Sequence, residues 1–243
     1  MIVFSHKHDR AIHRRGLIGL FRLSLEHIAR RITLLDSLVR AMFKKERQRV
    51  VAFDKQFGVD TIGVVHQTDL IIRNPNQIHA ASYEASDPKF FRDAISTLMI
   101  DYRRFNFIDF GSGKGRAILL ATEFPFKKIT GVEFSEKLHR VAQDNISRFK
   151  STLSKSTDVE SICMDAVDYP LPNECLVCYF YNPFDAILMA QVISNIQKSF
   201  LQNPREIFIV YYNPKEAHII DQTECFKKTH AIGLVSIWQT TIK

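Results

Sequence analysis

The chain has 243 residues, 46% hydrophobic and 24% charged, with a net charge of +7. That is globular composition at a length able to bury a sizeable core, and nine Gly and eight Pro exclude a collagen-like or low-complexity chain. Four cysteines are too few for a disulfide scaffold, and no apolar run reaches the roughly 18–20 residues that span a bilayer, so a reduced, cytoplasmic protein without a transmembrane segment is expected.

The positive charge is concentrated at the start. Residues 1–50 hold 12 Lys/Arg against 4 Asp/Glu, whereas residues 51–243 hold 21 against 22. Within that arm Ile18, Phe21, Leu25, Ile28, Ile32, Leu35, Val39 and Met42 recur at steps of three and four, the stripe of an amphipathic helix. Three roles fit a basic amphipathic arm (1–50): docking on the rest of the chain (51–243), pairing with a second protomer, or contact with an anionic membrane or nucleic-acid surface.

After the arm the pattern alternates. Apolar runs predict strands near 105–110, 128–133, 159–164, 175–181 and 205–212, and helices near 88–99, 115–123, 136–150 and 185–201. Segments 223–230 and 233–242 read as antiparallel strands turning near Gly233. Such alternation predicts an α/β, Rossmann-like sheet, mostly parallel with an antiparallel C-terminal strand. In sheets of this type ligands sit beyond the carboxyl ends of the strands, so functional residues should follow the strands.

Three of the nine glycines fall within five residues, in Phe107-Ile108-Asp109-Phe110-Gly111-Ser112-Gly113-Lys114-Gly115. A tight strand–helix turn explains one glycine; three at alternate positions suit a loop whose backbone a ligand approaches closely. Arg116 stands where a P-loop needs its Gly-Lys pair to begin and where the dinucleotide fingerprint needs its third glycine, so neither motif is met. Asp109, two residues before the first glycine, is unfavourable beside a pyrophosphate and suits a cationic ligand. The second strand ends at Glu133, whose carboxylate can accept from both hydroxyls of a ribose. The third ends near Asp165-Ala166. Each acid alone reads as a solvated loop residue; three after three successive strands, beside the glycine loop, read as a site.

These residues resemble the cofactor half of class I S-adenosylmethionine-dependent methyltransferases. The wording from Asp109 to Gly115, with Gly131-Val132-Glu133, is similar to lysine methyltransferases of the disruptor-of-telomeric-silencing class, and Tyr83-Glu84-Ala85-Ser86 resembles their cofactor-covering loop. The resemblance covers about residues 83–212. It implies S-adenosyl-L-methionine as cofactor, with Asp109 and the loop of Gly111, Ser112, Gly113 and Gly115 holding its methionine part. It further implies Glu133 on the ribose, Asp165 with Ala166 at the adenine, and Tyr83 and Glu84 over the site.

The fourth strand runs into Asn182-Pro183-Phe184, which resembles the Asn/Asp-Pro-Pro-aromatic motif of enzymes that methylate nitrogen, with one proline in place of two. By that resemblance Asn182 and a backbone carbonyl would hold an acceptor amine and Phe184 would pack on it. The same residues also read as a turn closing a strand, with Asp185 opening the next helix. Tyr211-Tyr212-Asn213-Pro214 ends the fifth strand in similar wording. Cys175 and Cys178 lie three apart in a strand, which points them to opposite faces and argues against a metal pair. The sequence thus predicts a methyltransferase acting on nitrogen of a protein or small amine. The competing reading is a non-catalytic protein that keeps the cofactor fold and engages a partner or anionic surface through its arm.

Overall fold

A computed structural model describes residues 37, 40–41, 44–66, 75–150 and 158–241. The chain divides into two compact units, 1–48 and 49–243. In the first, the described residues are helical; the apolar stripe predicted from Ile18 to Met42 lies outside the described residues.

The second unit opens with helical residues 49–57 (α1). A short 3-10 turn, Pro75–His79, precedes α2 (Pro88–Ser96), and Asp87 caps α2 by accepting from the backbone of Lys89 and Phe90. There follow β1 (Phe105–Phe110), α3 (Arg116–Ala121), β2 (Lys128–Glu133), α4 (Glu136–Lys150), β3 (Val159–Cys163), β4 (Cys175–Tyr181) and α5 (Ala186–Gln202). The unit closes with β5 (Ile207–Tyr212), α6 (Ala217–Asp221), β6 (Phe226–Ile232) and β7 (Val235–Thr240).

The seven strands form one sheet in the order β3-β2-β1-β4-β5-β7-β6. The first five are mutually parallel, and β7 runs antiparallel to both its neighbours. The order reverses between β1 and β4, placing the ligand crevice at their carboxyl ends. This is the expected α/β, Rossmann-like architecture with its antiparallel C-terminal strand.

Burial explains why β5 reads as an unbroken apolar run: every residue of β1 and β5 is buried, because helices cover both faces, and β1 carries Asn106 and Asp109 buried among its apolar residues. Phe107, Val177, Tyr179 and Val210 pack on one face with Phe91 and Ile95 of α2, Ile118 and Leu119 of α3 and Phe149 of α4. Ile108, Phe110, Phe180 and Ile209 pack on the other with Leu188, Met189, Val192 and Ile196 of α5. Cys175 packs against the first cluster and Cys178 lies in the second, so strand parity separates the two sulfurs. The single tryptophan, Trp238 of β7, is fully buried in the second cluster; its indole N–H donates to Asp221 at 2.7 Å, and Lys228 Nζ lies 4.7 Å from its ring centre.

Boundaries moved where polar chemistry intervened. β5 begins at Ile207 rather than 205 because the Arg205 guanidinium turns aside, donating to the carbonyls of Pro172, Glu174, Ser199 and Asn203. α2 stops at Ser96 rather than 99, just before Met99 takes a left-handed conformation with φ of 47°. The hairpin turns at Gly233, φ 57°, and its first strand starts at Phe226, after the short helix α6 that the sequence pattern did not mark.

Candidate active site

The loop after β1 wraps the end of β2. Gly111 and Ser112 N–H groups both donate to the Val132 carbonyl, at 2.9 and 3.1 Å, and Gly115 N–H donates back to Ser112 at 2.8 Å. Gly111 and Gly113 have φ of 77° and 54°, the left-handed region in which a side chain is strained. Glu133, at the last position of β2, fastens this loop. Its two carboxylate oxygens accept from Gly113 N–H and Ser135 N–H, each at 2.8 Å. Burial pushes the Glu133 carboxyl up to about 7, against the pull of those backbone donors.

Asp109 sits one residue from the end of β1, 4% exposed. It has no hydrogen-bond partner among the described residues, unlike Glu133. Burial, with the Glu133 charge adding to it, raises the Asp109 carboxyl to about 8. A buried acid without a donor is costly, and a cationic partner would relieve it.

Two stretches of chain roof the glycines. A Cβ on Gly113 would overlap the ring of Tyr83, and one on Gly111 would fall 2.6 Å from Pro183 Cβ. The close approach that the glycines permit is therefore made by the chain's own Tyr83 and Pro183. Tyr83 is held by backbone exchange with Val65 at 3.1 and 3.0 Å, and its hydroxyl donates to the Thr61 carbonyl at 2.6 Å; burial keeps the phenol above its ordinary range. Residues 79–83 run along the turn after β4, with Ala81 N–H on the Pro183 carbonyl and Asp185 N–H on the His79 carbonyl, both at 2.8 Å.

A second layer holds residues 54–62 against the loop. Asp54 accepts from Thr61 N–H at 2.6 Å and Ile62 N–H at 2.8 Å, and pairs with buried Arg116 at 2.7 Å. Arg116 also donates to Thr61 Oγ1 and to the Val50 carbonyl, and its guanidinium lies 4.6 Å from the Phe53 ring centre. Lys114 Nζ binds Asp60 and the Ile62 carbonyl, while the Asn145 side chain bridges Asp60 and the Lys114 carbonyl.

These walls enclose a cavity at the switch point. Tyr83, Glu84, Asp109, Gly111, Ser112, Gly113, Glu133, Pro183 and Phe184 all line it, as do Arg116 and Tyr181. An adjoining cavity shares Gly111 and Phe184 and is lined by Asp165 and Ala166. Asp165 there accepts from Asn76 Nδ2 at 2.8 Å and from Val167 N–H at 3.0 Å. Gly115 lines neither cavity; it is the left-handed cap of α3 and packs on Ala142.

Asn182 and Asn213 line neither cavity. Both have left-handed backbone, φ 41° and 51°, which explains an asparagine at each turn. Asn182 Oδ1 accepts from the Tyr211 hydroxyl at 3.3 Å. The aromatic residues on the cavity are Tyr83, Tyr181, Phe134 and Phe184.

Sequence reasoning missed two constellations. One is the Asp54–Thr61–Arg116 clamp, for which an arginine in the third-glycine position was the only signal. The other is His79, whose Nδ1 lies 2.6 Å from Asp185 Oδ2 while Asp185 Oδ1 caps α5. The helix cap at Asp185 was legible; the histidine, 106 residues away in sequence, was not. Among the described residues no group of His, Cys, Asp and Glu is arranged to hold a metal ion, and no helix is long and apolar enough to cross a membrane.

No curated protein matches the sequence. Among solved structures, magnesium protoporphyrin IX methyltransferase from Synechocystis is 16% identical with a TM-score of 0.45, covering 63% of this chain and 77% of that one. A ribosomal protein L11 methylase from Lactobacillus delbrueckii is 14% identical, TM-score 0.44, covering 64% and 78%. A putative RNA methyltransferase from Pyrococcus horikoshii is 12% identical, TM-score 0.47, covering 72% and 96%. In sequence, residues 108–209, the stretch from β1 through β5 that carries the glycine loop, Glu133 and Asp165, match the family model of a methyltransferase domain.

Proposed function

We propose that the chain is an S-adenosylmethionine-dependent methyltransferase acting on nitrogen of a protein or small amine. The observation that carries the cofactor assignment is Asp109: a buried acid at the switch point, without a protein donor, that an ammonium group would satisfy. The donor and acceptor set fits that cofactor. Glu133 keeps lone pairs for ribose hydroxyls beyond the two it gives to backbone N–H groups. Asp165 and Ala166 border the neighbouring cavity, as the adenine requires.

That cofactor supplies a methyl group already activated on a sulfonium, so the protein's task is to position and to exclude water. Tyr83 and Pro183 close over the glycine loop and do the second. The acceptor would enter beside Tyr181 and Phe184, whose aromatic faces suit an amine. The lysine-methyltransferase wording of the glycine loop favours an amine in the same way. Asn182 would serve by shaping the turn that presents Pro183 and Phe184, or by turning its amide from Tyr211 to the acceptor.

The test is ligand-induced thermal stabilisation, expected with S-adenosylmethionine and S-adenosylhomocysteine and absent with NAD. Labelled methyl transfer into lysate, divided into protein, nucleic-acid and small-molecule fractions, then identifies the acceptor. Stabilisation by NAD alone would defeat the assignment.

A further inference from the structure

The Asn182-Pro183 turn does not present the two groups that would hold an acceptor nitrogen. The Pro183 carbonyl accepts from Ala81 N–H at 2.8 Å, beside the antiparallel bridge between Ala80 and Phe184, so it is turned to the strap of residues 79–83. Asn182 Oδ1 accepts from the Tyr211 hydroxyl, and Asn182 lines neither cavity. An acceptor must therefore be gripped by something else.

Four charged side chains line the main cavity: Glu84, Asp109, Arg116 and Glu133. Three of them have other duties. Glu133 gives its two oxygens to Gly113 and Ser135 N–H groups, and the charge of Arg116 is met by Asp54 at 2.7 Å. Asp109, 4% exposed, lies at the end of β1 and is assigned above to the cofactor. Glu84 differs from all three. It is exposed, and its carboxylate has neither a hydrogen bond nor an ion pair among the described residues.

Its surroundings are fixed. The preceding residue, Tyr83, is pinned by backbone exchange with Val65 and by its hydroxyl on the Thr61 carbonyl. The wall also carries Tyr181 and Phe184; the Tyr181 ring meets Tyr212 edge-on with centres 4.5 Å apart, and Phe184 is buried. An unpaired carboxylate and aromatic faces on one cavity suit an aliphatic ammonium, whose charge both attract. They suit a neutral planar amide less, and the carboxylate repels a phosphate-bearing nucleotide.

We propose that Glu84 is the acceptor-binding residue of this site and that the acceptor is a cationic aliphatic amine. This rests on the methyltransferase reading above and narrows its substrate to one class of nitrogen. An exposed carboxylate captures the ammonium where water is still at hand to take its proton. The Asn182 turn then has the shaping role alone.

Calorimetry on the full chain saturated with S-adenosylhomocysteine tests this with three probes. They are Nα-acetyl-lysine methylamide, its neutral counterpart Nα-acetyl-glutamine methylamide, and cytidine monophosphate, a planar amine carrying phosphate. The lysine probe should bind about 10-fold or more tightly than the other two, and its affinity should fall with added salt. E84Q should weaken the lysine probe about 3- to 10-fold, above a fully solvated pair because aromatic faces flank the site, and should remove most of the salt dependence. E84D should recover part of the loss, and affinity for S-adenosylhomocysteine should stay within about 2-fold in both variants. In a methyl-transfer assay on the acceptor fraction of lysate, E84Q should raise KM more than it lowers kcat, as loss of a binding contact does. The proposal is overturned if E84Q binds the lysine probe like the parent, if either other probe binds as well as lysine, or if no probe binds. A large loss of S-adenosylhomocysteine affinity in E84Q also overturns it, by assigning Glu84 to the cofactor. If S-adenosylhomocysteine does not bind the unmodified protein, the methyltransferase reading falls and takes this proposal with it.

Discussion

The ring of Tyr83 occupies the space that a side chain on residue 113 would need. The two positions are therefore coupled. Gly113→Ala must strain a φ of 54° and displace the ring, together costing about 1–3 kcal/mol. Tyr83→Ala alone should leave the loop intact but open. Chemical denaturation of the two single variants and the double variant should show a clear shortfall from additivity, because the clash vanishes once the ring is gone. Additive losses would mean that the ring yields without cost.

Glu133 has a structural duty as well as its place on the cavity. Removing its carboxylate strands the N–H groups of Gly113 and Ser135, both bonded at 2.8 Å in buried surroundings. Glu133→Ala should lower the stability of the unliganded protein by about 1–3 kcal/mol, and Glu133→Gln should do nearly as badly, since an amide presents an acceptor to only one of the two donors. Denaturation without ligand measures this. A variant as stable as the parent would show that water replaces the carboxylate.

The two raised carboxyls fix a pH dependence. Asp109 at about 8 and Glu133 at about 7 lie above the ordinary 3.8 and 4.5. Folded values above unfolded ones contribute stability that is full at low pH and is lost as pH rises through about 7–8. The unliganded protein should therefore resist denaturant better at about pH 6 than at about pH 8.5. A ligand ammonium favours the ionised acids, so S-adenosylhomocysteine should bind more tightly as pH rises over that range and should release protons near pH 7. Titration calorimetry in buffers of different ionisation heats measures the release; net uptake would contradict it.

Asp54 is the counter-charge of a buried arginine. Asp54→Ala leaves Arg116 uncompensated and also frees the N–H groups of Thr61 and Ile62, so a loss of about 3–5 kcal/mol is expected. Asp54→Asn, which keeps an acceptor, should lose less. Thermal and urea unfolding of the pair should order them that way; equal losses would assign the whole effect to charge.

The two Asn-Pro turns offer a comparison. Asn182→Gly and Asn213→Gly accept the left-handed backbone, whereas alanine at either should cost about 1–2 kcal/mol. If the Asn182 amide holds the acceptor, both its substitutions slow methyl transfer roughly 10²-fold while Asn213→Gly turns over normally. Normal turnover by Asn182→Gly would confine Asn182 to shaping the turn.

Much of this was legible before any coordinates. β1, β2, β4 and α4 fall on their expected residues, β4 because a parallel strand buried on both faces is a continuous apolar run; Asp109 and Glu133 stand at the ends of β1 and β2 beside the glycine loop, and Asp165 follows β3. What stayed hidden depends on contacts distant in sequence. Arg116 and Asp54 are 62 residues apart, His79 and Asp185 are 106, and no periodicity in residues 50–65 announces that they fold back on the glycine loop. Arg205, an apparent first residue of a strand, proves to be a staple for four carbonyls, those of Pro172, Glu174 and Asn203 in loops and of Ser199 in the last turn of α5, because a buried guanidinium seeks acceptors before it follows a hydrophobic pattern.

The position of Trp238 has a practical consequence for all of these measurements. It is the one indole in the chain, sealed in the core of the face opposite α2 and α3, bonded to Asp221, and absent from the walls of either cavity. Its intrinsic fluorescence should change sharply when β5, β6 and β7 come apart and stay nearly constant when a ligand enters at the glycine loop. Emission at the indole wavelength therefore follows unfolding of the sheet without interference from binding, and occupancy of the site can be read independently from heat.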